Sequence, residues 1–204
     1  MAELTVAELT VHELTVHELT MPGAPATATA SWADLSYSPV TATSAPNFAT
    51  ALIPGYRLSE RRELIGHGSA RWEWACREVL SWGIKRRAGF VVQSAAVAAE
   101  VRVGDTVCLV LGTAPFRVRE FVRVVYLVNE PTRRGFAYGT LLGHPLRGED
   151  CFLVDRMPDG TVWLTVRSFS RPSTPLWMVL TPLLRLAQAI AVRRYFAALS
   201  ARMS

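Results

Sequence analysis

The stretch RRGFAYGTLLGHPLRGED, Arg133 to Asp150, decides how the chain folds. Its first half alternates with the period of two that a strand imposes. Arg134, Phe136, Tyr138, Thr140 and Leu142 fall on one face, and Gly135, Ala137, Gly139 and Leu141 on the other. Glycine inside a strand marks a bend or the close approach of another element. Gly143 to Gly148 is a hairpin connection, in which Pro145 forces His144 into an extended conformation. Asp150 to Met157 is the next strand, Pro158-Asp159-Gly160 a tight turn, and Val162 to Phe169 the returning strand. The stretch is therefore a strand and a turn, and His144 sits at the turn.

Upstream, FRVREFVRVVYLVNE (Phe116 to Glu130) alternates for long enough to be a strand of unusual length. Phe116, Val118, Val122, Val124, Tyr126 and Val128 form an apolar face that only Glu120 interrupts. Before it, VRVGDTVCLVLG (Val101 to Gly112) holds a turn at Gly104-Asp105 and a β-branched run. Earlier still, Gly55 to Gly83 is expected to be a short lead and then a helix. Ser69 is its expected N-cap and Gly83 its C′ residue. Trp72, Ala75, Cys76 and Val79 recur at helical spacing and form the buried stripe. His67 lies between two glycines before that helix, where a structural loop is a better reading than an anion site.

After the last strand a helix runs from about Leu176 to Ala201. Leu176, Leu180, Leu183, Leu184, Ala187, Ile190, Ala191 and Leu199 give it a wide apolar face. Pro182 breaks it, kinks it, or marks where its main part starts. Arg185 and Gln188 interrupt the apolar run and argue for a core helix across the sheet rather than a membrane span.

The chain has 204 residues, half of them hydrophobic, which suits one domain with a substantial core. Residues 1–50 carry five acids and no Lys or Arg, and the remainder carries 22 basic and 12 acidic groups. That balance could attract an anionic surface, but no nucleic-acid recognition motif accompanies it. Lys85 is the only lysine, and the other 21 basic residues are arginines. The three cysteines are far apart and in apolar contexts, as reduced thiols of a cytoplasmic protein would be. Neither a metal site nor a cofactor is expected. Residues 2–20 repeat AELTV and HELTV with a period of five, which no helix or strand can keep on one face. Residues 1–50 are thus expected to be a low-complexity leader and flexible lead-in, with Met21 a plausible start, and 51–204 the domain.

The strings GFAYGTLLGHPLRGED, FSRP (Phe169 to Pro172) and RRYFAAL (Arg193 to Leu199) resemble an uncharacterised family of bacteria and plants, catalogued as domain of unknown function nineteen-ninety. The resemblance covers about residues 54–200. That family often has a second Glu where this chain has Asp150, and it brings no chemistry with it. Tyr138, His144, Glu149 and Arg171 count as its signature residues. The order helix, antiparallel strands, long C-terminal helix also resembles the START-like helix-grip fold, an α+β class in which a curved antiparallel sheet wraps the last helix.

That topology implies a hydrophobic small molecule or lipid held between sheet and helix. Glu120, Tyr138, Gly139, Thr140 and Arg171 are the expected ligand-binding residues. The alternatives are an enzyme on the same scaffold (a cyclase, dehydratase or hydrolase) or a peripheral membrane protein. In the enzyme, Glu120 would be the base, and Tyr138 or His144 the acid. Glu120 is expected near Leu183, Leu184 or Ala187, with the small face of the Arg134–Leu142 strand making room for helix or ligand.

Overall fold

The computed structural model describes residues 34–93, 100–112 and 117–201. The repeat of residues 2–20, Met21 and Trp32 lie outside them. Among the described residues, seven strands form one antiparallel sheet in the order β1-β7-β6-β5-β4-β3-β2. They are β1 (Arg57–His67), β2 (Val91–Gln93), β3 (Thr106–Leu111), β4 (Val118–Asn129), β5 (Arg133–Thr140), β6 (Leu146–Arg156) and β7 (Thr161–Pro172). Two helices, α1 (Gly68–Leu80) and α2 (Gly83–Arg87), connect β1 to β2. After β7 come α3 (Pro175–Val179) and the long α4 (Thr181–Ser200). The fold is α+β, a sheet gripping a long C-terminal helix, which is the helix-grip class.

The main core lies between the inner face of the sheet and the helices. Trp72, Cys76 and Val79 of α1 meet Phe136, Phe152 and Leu164 of the sheet, and Tyr195, Phe196 and Leu199 seal it from α4. A second apolar layer lies on the outer face. There Tyr37, Phe48 and Ile53 pack on Phe169, and Leu35 and Val40 pack on Ala137 and Cys151. Residues 34–53, expected as flexible lead-in up to residue 50, are thus folded onto the sheet. Leu35 bridges Leu141, and the lead-in places two short 3-10 turns, Ala42–Ser44 and Phe48–Thr50, over the outer face.

Several local expectations change for physical reasons. β1 occupies what was expected to be a short lead. It is an edge strand whose exposed positions include Arg57, Glu60, Arg61 and Arg62, charges that discourage further strand pairing. α1 starts at Gly68, with His67 at the N-cap position instead of Ser69. Trp82 takes the left-handed conformation (φ 62°) expected of Gly83. Gly83 instead opens α2, where a Cβ would lie 2.8 Å from the Glu78 carbonyl oxygen. A bulge at Val125 breaks the alternation of β4. Val122 and Val124 face the main core, while Val125, Tyr126 and Val128 pack on the outer face. The C-terminal helix divides at Leu180, with Pro182 in the first turn of α4. Its N-terminal half does not bury the expected apolar face: Leu176, Leu183 and Ile190 are exposed.

Candidate functional site

Between the inner face of the sheet and α4 lies a cavity of about 320 Å³. Phe90, Leu111, Val166, Leu184, Ala191 and Val192 contribute apolar wall. Lys85, Glu120, Tyr138, His144, Asp150 and Tyr195 bring polar groups to the same space. Strand register explains part of this meeting. Tyr138 on β5 is paired with Asp150 on β6, so their side chains emerge side by side, and the Tyr138 hydroxyl donates to Asp150 Oδ2 at 2.7 Å. Glu120 lies on β4 two residues before Val122, on the same inner face.

Lys85 enters from α2 and is 2% exposed. Its Nζ donates to the Tyr195 hydroxyl at 2.6 Å and to the Tyr138 hydroxyl. The rings of Phe90, Tyr138, Phe152 and Tyr195 surround it at 4.5–5.1 Å. Burial lowers its pKa, against the charges of Asp150 and Glu120, which pull it up. The same burial raises the hydroxyls of Tyr138 and Tyr195, so both stay protonated and able to donate.

His144 is at the β5–β6 connection, as expected, but it is 7% exposed and points inward. Its Nδ1 accepts the Leu146 N–H at 3.0 Å, so the proton of the neutral ring is on Nε2. Nε2 lies 3.8 Å from Glu120 Oε2. Burial pushes the His144 pKa down to about 4, helped by the Lys85 charge. Burial pushes Glu120 up to about 7, with Asp150 adding to the rise and Lys85 opposing it. Glu120 keeps 22% of its side-chain surface accessible, and it shares the cavity with Leu184 and Ala187. Glu120 is the member of the pair able to exchange a proton near pH 7, and the uncharged imidazole faces it with Nε2–H.

The structure separates the remaining expected ligand residues. Thr140 reaches the cavity edge, but its hydroxyl also accepts the Gly148 N–H at 2.9 Å and lies 2.7 Å from the Ser36 hydroxyl. Gly139 faces away from the cavity, because a Cβ there would lie 2.2 Å from the Tyr37 hydroxyl on the outer face. The small face of β5 therefore admits the lead-in rather than α4 or a ligand. Arg171 is exposed and lies over the Tyr56 ring at 4.7 Å, outside the cavity lining. Glu149 serves the lead-in as well. Its carboxylate accepts from the Tyr37 hydroxyl (2.7 Å), the Thr41 N–H (2.7 Å), the Thr43 N–H (3.0 Å) and the Thr43 hydroxyl.

Lys85, Asp150 and Tyr195 are the site residues that sequence reasoning missed. One signal pointed to Lys85, since a chain that otherwise uses only arginine keeps a single lysine. A shallow dish of about 410 Å³ beside Arg87, Gly89 and Arg194 opens broadly to solvent and shares none of these groups.

The profile of a family described as Domain of unknown function (DUF1990) matches residues 36–198. The chain belongs to that family. The match starts at Ser36, within the packed lead-in. A UPF0548 protein of Deinococcus radiodurans is 48% identical over 73 residues, which is 36% of this chain and 37% of that protein. A UPF0548 protein of Arabidopsis thaliana is 27% identical over 140 residues, 66% of this chain and 67% of that one. Among solved structures, hypothetical protein jhp0584 of Helicobacter pylori aligns with a TM-score of 0.54 at 10% identity, covering 72% of this chain and 89% of that one. A point mutant of norcoclaurine synthase from Thalictrum flavum aligns with a TM-score of 0.44 at 11% identity, covering 68% and 94%. These likenesses concern the fold alone. Among the described residues, no helix is long and apolar enough to cross a membrane.

Proposed function

We propose that the protein binds a small, mainly apolar molecule with one polar end in the cavity between sheet and α4. The observation that carries this reading is the cavity itself: apolar walls with Lys85, Tyr138 and Asp150 gathered in a hydrogen-bonded cluster. A few convergent polar groups in an apolar hollow orient a ligand, while burial of its apolar part supplies affinity. Native mass spectrometry of freshly purified protein tests it, together with Ala191→Trp, which fills the space from α4. The expected result is a copurifying molecule, or saturable binding of an apolar probe such as anilinonaphthalene sulfonate, lost in the variant. No bound molecule and equal probe binding by both proteins would overturn the proposal. Glu120 and His144 lend the same cavity to acid–base chemistry on its occupant, which is the enzyme alternative.

A second reading, docking on an anionic lipid surface, has its own support. Leu176, Met178, Val179, Leu183, Leu186 and Ile190 are 42–78% exposed along α3 and α4. From Gly160 to the C-terminus the chain has six arginines and no acid. An apolar stripe beside Arg185, Arg193 and Arg194 suits anionic headgroups, whereas a second copy of the helix would bring like charges together. Pelleting with phosphatidylglycerol vesicles should be salt-sensitive and should fall on Leu183→Asp. Equal pelleting with phosphatidylcholine vesicles, or no pelleting with either, would refute it.

A further inference from the structure

We propose that Lys85 captures a small aldehyde or ketone in the cavity as an imine. The proposal rests on the cavity-binding reading above and names its ligand class. Three observations on Lys85 converge. The first is its hydrogen bonding. Nζ has two acceptors, the hydroxyls of Tyr138 and Tyr195. A neutral amine has two N–H bonds and one lone pair, so these acceptors satisfy its donors and leave the lone pair for a carbonyl carbon. An ammonium ion would have a third N–H to satisfy at a residue that is 2% exposed.

The second is residue choice. The other 21 basic positions are arginine, and lysine is kept where, among the described residues, a basic side chain is both buried and part of the cavity wall. A guanidinium stays charged and is no nucleophile, whereas a buried primary amine loses its proton readily. The third is the ring box. Four aromatic rings within 5.1 Å of Nζ favour a positive charge at that point, which the protonated imine supplies after the neutral amine has reacted.

The step balances without any oxidant or reductant. The Nζ lone pair attacks the carbonyl carbon, and the carbonyl oxygen becomes a hydroxyl as a proton passes to it from nitrogen. Glu120, poised near neutrality in the same cavity, shuttles that proton. Its carboxyl then protonates the hydroxyl, which departs as water as the C=N bond forms. The nitrogen keeps its proton, so the product is the protonated imine, with the Glu120 carboxylate as its counter-charge. Amine, carbonyl compound and carboxylic acid become protonated imine, carboxylate and water.

The experiment uses the full chain with straight-chain aldehydes from butanal to decanal and cyanoborohydride at pH 7, read by intact mass and peptide mapping. Lys85 and the N-terminal amine are the only primary amines, so assignment is unambiguous. The reference is the same chain unfolded in urea, where Lys85 is an ordinary lysine. Native protein should be alkylated at Lys85 at least tenfold faster than unfolded protein and saturably with at least one aldehyde. Lys85→Met should confine label to the N-terminus, and Glu120→Gln should slow the native reaction about tenfold. Alkylation of the native chain at the N-terminus alone, or at Lys85 no faster than in urea, would overturn the proposal. The matching 1-alkanols separate the two readings. If alkanols bind natively but Lys85 is not alkylated, the imine fails and the cavity reading stands. If neither alkanol nor aldehyde is taken up, the cavity reading fails first.

Discussion

Glu120→Gln is the most informative single change, because its effect on stability should depend on pH. Burial raises the Glu120 carboxyl from 4.5 to about 7. Its protonated form suits the fold, so its contribution is intact below pH 4.5 and is lost as pH rises through about 7. The difference corresponds to about 3 kcal/mol at pH 8. His144 runs in the opposite sense. Its pKa falls from 6.5 to about 4, so its contribution is intact above pH 6.5 and is lost as pH falls through about 4. The two trends oppose each other between about pH 4 and 7, so these two contributions largely offset one another there. Glutamine removes the Glu120 limb and keeps the His144 limb. The variant should therefore gain on the wild type by about 3 kcal/mol between pH 4.5 and pH 8. With a urea slope of about 2 kcal/mol per molar, the difference in midpoint between variant and wild type should widen by about 1.5 M. Urea titrations followed by tryptophan fluorescence across this range measure it. Lys85 and Asp150, the polar neighbours, are present in both proteins. A midpoint difference that does not change with pH would show that Glu120 titrates as an exposed carboxyl, and its burial in the cavity would have to be abandoned.

Two further outcomes test the outer face. Gly139→Ala should cost about 1–3 kcal/mol by pushing Tyr37 away, while leaving uptake of an apolar probe unchanged. A normal melting temperature with lost uptake would instead place Gly139 in the cavity. Glu149→Gln leaves one carbonyl oxygen where two carboxylate oxygens had received the lead-in, a loss of about 2–4 kcal/mol. The melting temperature should drop by on the order of 10 °C, and brief proteolysis should cut within residues 34–50; unchanged resistance would show that other contacts hold the lead-in.

Much of the sheet was legible because β5 alternates cleanly and β5, β6 and β7 are separated by turns with Gly and Pro. β1 was hidden by the feature that protects it, an edge rich in Arg and Glu that looks like a solvated lead. The bulge at Val125 leaves no mark in sequence, since it inserts an ordinary β-branched residue, yet it moves Tyr126 and Val128 to the other face. The glycines of β5 announced a close approach correctly but not by what, and Tyr37 lies about a hundred residues away. Glu120 was visible as a lone charge on an apolar face. Its partners were not, because α2 and β6 bring Lys85 and Asp150 to the cavity through tertiary packing. His144 was placed at its turn, but nothing local showed that the turn folds inward.

Glu149 and Asp150 are consecutive, and the pleat sends them to opposite faces of β6, one to the lead-in and the other to Tyr138. Sliding β6 by a single residue against its neighbours would exchange them. Glu149 would then enter the cavity without the four donors that satisfy it, and Asp150 would meet the outer layer too short to reach Tyr37 and Thr43. Each face thus rejects the other's carboxylate. The two adjacent acids therefore set a cost on any one-residue slip of the central hairpin.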